Sequence, residues 1–244
     1  MSRVVLVTGA SRGIGRETAR QFALAGDYVV INFYQHRDAA ESLADELVQA
    51  GCPVLAIQAD VSRRDQVDAM VEQTRKTFGP VEVLINNAGI AQQRLFTDIG
   101  DEEWDRMFAI HVKGAFYCCQ AVLPDMIHQH RGKIVNVSSI WGLTGSSCEV
   151  HYSAAKAALI GMTRALAKEL GPSNIQVNCV APGVIDTDMN ADLDEAARAA
   201  LLDQTPLGVF GCAADIAHTI VFLASGQAAF ITGQIISPNG GFAI

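Results

Sequence analysis

The sequence predicts an α/β fold in which helices cover both faces of a doubly wound parallel sheet of about seven strands. Strand-like runs alternate with helix-length amphipathic stretches along all 244 residues, as in consecutive βαβ units. The strand-like runs are apolar throughout, which is typical of strands buried on both faces. A glycine-rich stretch, TGASRGIG, directly follows the first apolar run. No linker, charge run or internal repeat divides the chain, so residues 1–244 are predicted to form a single domain.

The predicted elements follow in a regular order. The first strand, RVVLVT, precedes a helix over residues 13–25, where Ile14, Thr18 and Phe22 recur at helical spacing. Further strands are predicted at YVVINF, VLAIQA, VEVLIN, KIVNVS, IQVNCVAP and QIISP, which are residues 28–33, 54–59, 81–86, 133–138, 175–182 and 234–238. Further helices are predicted over residues 38–50, 63–78, about 101–128, about 151–170 and 215–224. Helices of this length between strands imply right-handed crossovers in one parallel sheet.

The composition excludes several classes of protein. A formal net charge of −8 and a pI near 5.2 argue against a general nucleic-acid-binding protein. No apolar stretch approaches the roughly 20 residues that span a bilayer, and no secretory signal is evident. The six cysteines show no zinc-ligand spacing and are predicted to be reduced and mostly buried. We therefore expect a cytoplasmic protein with no metal site and with neither a nucleic-acid nor a membrane partner.

The stretch TGASRGIG predicts a phosphate-binding loop. Gly9, Gly13 and Gly15 lie between a predicted strand and a predicted helix. The N–H groups and the positive dipole at a helix N-terminus bind phosphate, and glycines let a pyrophosphate approach the backbone. The spacing differs from Gly-x-Gly-x-x-Gly, and a plain strand–helix turn is the alternative. Between a strand and a helix, the loop favours dinucleotide binding in a Rossmann-type sheet.

The end of the second strand indicates which dinucleotide is bound. NAD-binding proteins place an acidic residue there, against the ribose 2′-hydroxyl, whereas this strand ends at Phe33. Arg12 in the loop, with His36 and Arg37 after the strand, could neutralise a 2′-phosphate. These cations favour NADP. Asp38 is interpreted as a helix N-cap, and contact with the ribose is the alternative.

Two further motifs end the third and fourth strands, at the edge where an open parallel sheet binds ligands. Asp60, in QADVS, is expected to accept a hydrogen bond from the adenine amino group or to cap the next helix, and both roles could hold. NNAG, at residues 86–89, has either a structural turn role or a place beside the cofactor.

Three residues could carry acid–base chemistry. Tyr152 and Lys156 are four residues apart on a predicted helix and therefore share a face. An ammonium near a phenol lowers the phenol pKa and makes the hydroxyl a usable acid or base near neutrality. Ser139 ends the fifth strand, where a hydroxyl could bond a substrate carbonyl. Taken alone, the pair is more commonly packing with a solvent-reaching lysine, and the serine a turn residue.

Taken together, the motifs resemble the short-chain dehydrogenase/reductase family, in its short single-domain branch, over essentially the whole chain. The resemblance rests on TGASRGIG, DV, NNAG, the set of Ser139, Tyr152 and Lys156, and APGVIDT, in family order and spacing. It implies that Tyr152 protonates a carbonyl oxygen as hydride arrives from a nicotinamide, that Lys156 lowers the tyrosine pKa and binds the nicotinamide ribose, and that Ser139 positions the carbonyl. The cofactor contacts expected from the loop chemistry and the resemblance are Gly9, Ser11, Arg12, Gly13, Ile14, Gly15, His36, Arg37, Asp60, Val61, Asn87, Ala88, Gly89, Tyr152, Lys156, Pro182, Gly183, Ile185 and Thr187.

One position departs from the family pattern. Seven residues after a tryptophan such as Trp104, the family usually has an asparagine that helps to hold a water in the proton relay to the lysine, and this sequence has His111. A neutral imidazole donates on one nitrogen and accepts on the other, so His111 could serve the relay. It would then titrate in the physiological range. A packed helix histidine is the alternative.

Within the family, the resemblance is greatest to bacterial 3-oxoacyl-(acyl-carrier-protein) reductases. It implies an NADP-dependent oxidoreductase of fatty acid synthesis, with acyl carrier protein as a possible partner, that forms a homotetramer through two long helices and the C-terminal strand. The segments expected to line the substrate site, residues 90–97, 140–150 and 190–210, are the least typical of these reductases.

Other functions remain open at the level of sequence. The stretches that carry the resemblance are mainly scaffold and cofactor site, and sugar, polyol and small-ketone reductases have near copies. His130 and Ser173 stand where the carrier-dependent relatives have arginines, and Val209 replaces another common arginine. A generic carbonyl, sugar or polyol reductase is therefore the alternative, and a non-catalytic NADP-binding regulator is a third hypothesis.

Overall fold

The computed structural model describes residues 2–187 and 194–244, and it confirms the predicted fold class. The strands are β1 (Val4–Val7), β2 (Tyr28–Phe33), β3 (Val54–Gln58), β4 (Val83–Asn86), β5 (Gly132–Val137), β6 (Ile175–Val180) and β7 (Ile235–Ile236). They pair in parallel as one seven-stranded sheet in the order β3-β2-β1-β4-β5-β6-β7. The chain winds outward from β1 to β3 and then returns to place β4 beside β1. The carboxyl ends of β1 and β4 therefore form the crevice in which such sheets bind ligands.

Most of the predicted helices are found within two residues of their expected bounds. The helices are α1 (Gly13–Leu24), α2 (Arg37–Gln49), α3 (Arg64–Phe78), α4 (Asp101–Phe108), α5 (Gly114–Gln129), α6 (Trp141–Thr144), α7 (Val150–Leu170), α8 (Glu195–Asp203) and α9 (Ala213–Leu223). The sequence prediction lacks α6 and α8. The four residues of α6 are too few to show a helical period, and α8, with nine residues, is short for a periodic pattern.

The long central helix differs most from the prediction. The helix expected over about residues 101–128 is two helices, α4 and α5, joined by a π-helical turn at Ala109–Lys113. Such a turn inserts one extra residue into the hydrogen-bond ladder and is frequent at functional sites. Hydrophobic periodicity does not detect this turn, because the apolar stripe of the helix continues beyond it and is shifted by only one residue.

Both faces of the sheet are buried, as the uniformly apolar strands predict. Every residue of β1 and β4 is buried. On one face, Val5 and Val7 belong to a cluster that includes Phe22 of α1. On the other face, Leu6 belongs to a cluster that includes Met70 of α3. This two-sided packing holds the carboxyl edge of the sheet as a rigid base for the loops that follow the strands.

The cysteines are free thiols in the structure. Cys118, Cys119 and Cys179 are buried, whereas Cys52 and Cys148 are partly buried and Cys212 is exposed. The expectation that most of them are buried therefore holds for only half. In the part of the chain that the structure describes, no helix is both long and apolar enough to cross a membrane.

Candidate active site

The glycine loop turns sharply between the end of β1 and the start of α1. Gly9 and Gly13 have φ values of +63° and +57°, a backbone conformation that residues with a Cβ rarely adopt. Asn87, which follows β4, donates from Nδ2 to the carbonyl oxygens of Thr8 at 2.9 Å and Gly9 at 3.0 Å. These two hydrogen bonds fix the loop against the crevice between β1 and β4.

The loop leaves no room for side chains on its inner side. A Cβ at Gly15 would lie 2.4 Å from Asn87 Nδ2 and 2.4 Å from the carbonyl oxygen of Gly9. A Cβ at Gly9 would lie 2.7 Å from the Cα of Ala88. Bare backbone therefore leads into the first turn of α1, where unpaired N–H groups bind phosphate. This arrangement fits a dinucleotide.

Two adjoining cavities lie along the carboxyl edge of the sheet. The first, of about 460 Å³, is lined by these predicted cofactor residues: Gly9, Ser11, Arg12, Gly13, Ile14, Gly15, His36, Asp60, Val61, Asn87, Ala88, Gly89 and Thr187. The second, of about 620 Å³, is lined by the predicted residues Pro182, Gly183, Ile185, Ser139, Tyr152, Lys156 and His111. Ile14, Asn87, Gly89 and Thr187 line both, so the two cavities adjoin each other. The fold thus brings the predicted cofactor and catalytic residues to one edge.

Arg37 is the predicted cofactor residue that lines neither cavity. Its guanidinium donates to Glu41 Oε1 at 2.9 Å and to Gln58 Oε1 at 2.5 Å. These contacts hold Arg37 on the surface between α2 and the end of β3. Arg12 and His36 are the predicted cations that remain at the first cavity.

The two acidic residues interpreted as possible helix caps do not cap. The N-cap residue of α2 is His36, and Asp38 lies exposed in the first turn. The N-cap residue of α3 is Arg63, and the carboxylate of Asp60 accepts from the N–H and the hydroxyl of Ser62 at 2.9 and 2.7 Å. Both capping predictions are wrong, because each helix starts at a different residue from the expected one. Asp60 lines the first cavity, and its role toward adenine stays a prediction.

Ser139, Tyr152 and Lys156 come together in the second cavity. Ser139 follows the end of β5 by two residues, and α7 carries Tyr152 and Lys156 one turn apart. They are 8%, 7% and 4% exposed. The Nζ atom of Lys156 lies 5.5 Å from the centre of the tyrosine ring and donates to the carbonyl oxygen of Val137 at 2.8 Å. The Ser139 side chain lies near enough to Tyr152 to lower its pKa, and its Oγ accepts the N–H of Trp141 at 3.2 Å.

Burial dominates the acid–base properties of this set. It raises the pKa of Tyr152 to about 12, a shift that the Ser139 side chain only partly opposes. Burial also lowers the pKa of Lys156 to about 8. The expectation that Lys156 brings the tyrosine pKa toward neutrality is therefore wrong for the protein alone. Tyr152 keeps its proton at neutral and mildly alkaline pH, as a proton donor requires.

The position of Lys156 predicts a pH dependence. Because its pKa is lowered, Lys156 is charged below pH about 8 and loses that charge above it. We expect kcat/KM for the reduced dinucleotide, which reports groups of the free enzyme, to fall as the pH rises through this value. In Lys156→Arg the guanidinium stays charged, so the remaining rate should show no break there. A wild-type profile that is flat from neutral pH to well above about 8 would contradict the prediction.

His111 lies in the π-helical turn and is 2% exposed. The edge of its ring meets the Tyr152 ring, with centroids 5.5 Å apart and planes at 88°. Its Nε2 atom lies 2.8 Å from the carbonyl oxygen of Ile90, whereas Nδ1 is buried without a hydrogen-bond partner among the described residues. A Cβ on Gly89 would lie 2.3 Å from the ring, so the glycine makes room for the histidine.

The charge state of His111 differs from the expectation. Burial, followed by the charge of Lys156, lowers the His111 pKa well below the ordinary 6.5. The imidazole is therefore neutral at physiological pH, and the expected titration in that range is wrong. A neutral ring with one unpaired nitrogen keeps one position for hydrogen bonding, and its part in a proton relay stays a prediction.

The segments expected to line the substrate site contribute to the second cavity where the structure describes them. Residues 190–193 lie outside the described residues. Sequence reasoning named no single residue in these segments as facing a substrate. The structure adds Ala91, Gln92, Gln93, Ile140, Trp141, Ser146, Glu149, Ala197, Ala200 and Leu201. These residues are apolar and polar, and they lie in both loops and short helices, so they share no periodic signal in the sequence.

Comparison with known proteins finds a family model that matches most of the chain and several relatives that match nearly all of it. The family model described as short chain dehydrogenase matches residues 3–198. A 3-oxoacyl-(acyl-carrier-protein) reductase of Staphylococcus epidermidis is 44% identical over 241 residues, which cover 99% of each chain. The reductase of the same name from Staphylococcus aureus is 43% identical over 99% of this chain and 98% of its own length. That of Thermotoga maritima is 42% identical, also over 99% of this chain and 98% of its own length.

Proposed function

Because this chain belongs to the short-chain dehydrogenase family and is an oxidoreductase of C=O and CH–OH groups, we propose that it reduces 3-oxoacyl thioesters with NADPH. The observation that carries the proposal is the set of Ser139, Tyr152 and Lys156, in a cavity that adjoins the glycine-loop cavity. The identity to 3-oxoacyl-(acyl-carrier-protein) reductases over nearly the full length supports this substrate class.

The first cavity has the groups that a phosphorylated dinucleotide needs. The N–H groups at the start of α1 would hold the pyrophosphate, since the glycines leave the backbone bare. Arg12 and His36 would hold a 2′-phosphate, and Lys156 the nicotinamide ribose. When bound, NADPH supplies the hydride that reduces a carbonyl carbon. The family binds a nicotinamide cofactor, and the preference for NADPH is part of the proposal.

The protein's own residues would supply the proton and the orientation. The hydroxyls of Ser139 and Tyr152 face the same cavity, where they would both bond the substrate carbonyl oxygen. Tyr152 then gives its proton to that oxygen as it gains negative charge, and the product is a hydroxyl group. A tyrosine with a pKa of about 12 is protonated at physiological pH, which favours the direction of reduction. The cation of Lys156 would stabilise the phenolate that remains.

Whether the acyl group arrives on a carrier protein is a separate part of the proposal. The resemblance to carrier-dependent reductases places arginines at the positions of His130 and Ser173. His130 lies two residues before β5, and Ser173 lies two residues before β6. They lie near each other, since Asn174 Nδ2 donates to the carbonyl oxygen of His130 at 3.0 Å. This is the edge of the sheet opposite the candidate active site. Comparing kcat/KM for the same acyl group on carrier protein and on coenzyme A tests docking directly.

The first test of the proposed function follows NADPH and NADH absorbance with an acetoacetyl thioester. We expect turnover of the thioester with a preference for NADPH of at least about tenfold in kcat/KM, as for a charged hydrogen bond. Arg12→Gln should narrow that preference by slowing the NADPH reaction, with NADH as its internal control. A panel of sugars, diketones and aldehydes runs in parallel. If the thioester is not reduced while a small ketone is, the result would contradict the proposal and favour a generic carbonyl reductase.

A further inference from the structure

We propose that Glu149 determines the substrate specificity of this enzyme by excluding carbonyl substrates that carry a free carboxylate. The cavity would thus accept 3-oxo thioesters and esters and reject the corresponding 3-oxo acids. The inference rests on the proposed function, because it concerns the carbonyl substrate of the same cavity. It assigns a role to a residue that no motif in the sequence indicates.

Glu149 lies in the wall of the second cavity, beside the candidate proton donor. It is half-buried, and its negative charge acts on the Tyr152 hydroxyl, whose pKa it raises. Its Oε1 accepts a long hydrogen bond, 3.4 Å, from Nε2 of Gln93. Burial raises the pKa of Glu149 itself, since the cavity wall solvates the carboxylate poorly. The Glu149 carboxyl group therefore shares the cavity with Tyr152, and Gln93 stabilises its charge through a long hydrogen bond.

A structural role for this carboxylate is not evident. Glu149 is the N-cap residue of α7, where an acidic side chain commonly accepts a backbone N–H of the first turn. Its side chain makes no such bond, and the N–H of Ser153 bonds to the Glu149 carbonyl oxygen instead, at 2.8 Å. The nearby Arg94 pairs with Glu103 at 3.3 Å. Within residues 2–187 and 194–244, no ion pair includes Glu149.

The other charged or basic side chains of the cavity are Lys156 and His111. Among the described lining residues, Lys156 is the only cation, and its Nζ donates to the carbonyl oxygen of Val137. The charge of Glu149 raises the Tyr152 pKa. His111 is neutral, because its pKa is lowered well below the ordinary value by burial. A substrate group held beside Glu149 therefore meets a carboxylate that has no ion-pair partner among the described residues.

A 3-oxo acid and its ester differ at this place by one charge. When the ketone oxygen bonds Ser139 and Tyr152, the carboxyl group two carbons away is held in the cavity that Glu149 lines. Two carboxylates held in one partly buried cavity repel each other. An ester or thioester keeps the 3-oxoacyl skeleton and carries no charge, and its carbonyl oxygen can accept a hydrogen bond from the neighbouring amide of Gln92 or Gln93.

The test compares acetoacetate with methyl acetoacetate, with NADPH in excess. In the wild type we expect kcat/KM to favour the ester by at least about 100-fold, and in Glu149→Gln this ratio should narrow at least about tenfold. Acetoacetate should also inhibit ester reduction more strongly in Glu149→Gln than in the wild type, with an inhibition constant about tenfold lower. Glu169→Gln is the matched control, because it removes the same charge from an exposed site about 30 Å further along α7. Glu149→Ala repeats the test with a second neutral side chain.

The outcomes separate this inference from the proposed function. Narrowing of the ratio in both Glu149 variants, with no change in Glu169→Gln, supports it. An unchanged ratio with an active ester overturns it and leaves the proposed function intact, as does a wild type that reduces acetoacetate as well as the ester. If thioester, ester and acid are all inert with NADPH, the proposed function fails and this inference fails with it.

Discussion

Tyr152→Phe is expected to lower kcat for carbonyl reduction by about 10³-fold and to leave NADPH affinity within about twofold of the wild type. The substitution removes one oxygen atom, the proposed proton donor. The ring packs with Met107 and Ala155 and against the edge of His111, and the phenylalanine ring keeps those contacts. Single-turnover absorbance with the thioester measures the rate, and NADPH fluorescence measures the affinity.

Tyr117→Phe is the control for this variant, since it removes the same atom from a partly buried tyrosine of α5 that lines neither cavity. We expect its kcat to match the wild type. A Tyr152→Phe enzyme that retains more than about a tenth of the wild-type rate would contradict the assigned role. A wild type that binds NADPH and reduces nothing in a broad carbonyl panel would instead favour the NADP-binding regulator.

Gly15→Ala is expected to weaken NADPH binding by about 100-fold, because the glycine loop must move. The added Cβ would lie 2.4 Å from Asn87 Nδ2 and 2.4 Å from the Gly9 carbonyl oxygen, which is backbone and cannot turn away. Alanine gains about 1 kcal/mol over glycine in a helix, whereas overpacking costs about 1–3 kcal/mol. We therefore expect the thermal midpoint to fall despite the better helix propensity. Fluorescence titration and thermal unfolding measure the two effects.

Gly226→Ala is the matched control for the loop variant. Gly226 is exposed, and a Cβ built on it has no heavy atom within 4 Å. Its φ lies outside the left-handed range, so alanine is not strained there. NADPH affinity in this variant should equal that of the wild type. Equal affinity in Gly15→Ala as well would mean that the loop does not hold the phosphates.

The strands and the glycine loop follow from local sequence. Uniformly apolar runs predict strands buried on both faces, and β2 has the expected bounds, residues 28–33. The loop is equally local, since Gly9 and Gly13 adopt positive φ that few other residues tolerate. Most other elements differ by one or two residues at their ends, because the last hydrogen bond of a helix or strand depends on its neighbours in space.

The roles of individual polar side chains depended on contacts between distant segments. Arg37 pairs with Gln58, 21 residues away, and so lies outside the cofactor cavity. The carboxylate of Asp60 bonds Ser62 rather than the first turn of α3. The place of Glu149 in the site depends on tertiary packing, because the start of α7 lies against the loop after β4. Gln93 of that loop donates a hydrogen bond to Glu149. From the sequence, each of these side chains could have bonded to several different groups. The packing of the helices and strands determined which hydrogen-bond partner each one has.

By itself, the sequence determined the parallel sheet, the order of its elements and the position of the glycine loop. These features depend on hydrophobic period and on the conformational freedom of glycine, which are local properties. The candidate catalytic set was implied by the family resemblance, because the residues alone also fitted a packing role. The tertiary structure alone decided the π-helical turn that carries His111 and the pKa values of Tyr152, Lys156 and His111. Those values are set by desolvation, and the loss of water around a side chain depends on segments that are far apart in the sequence.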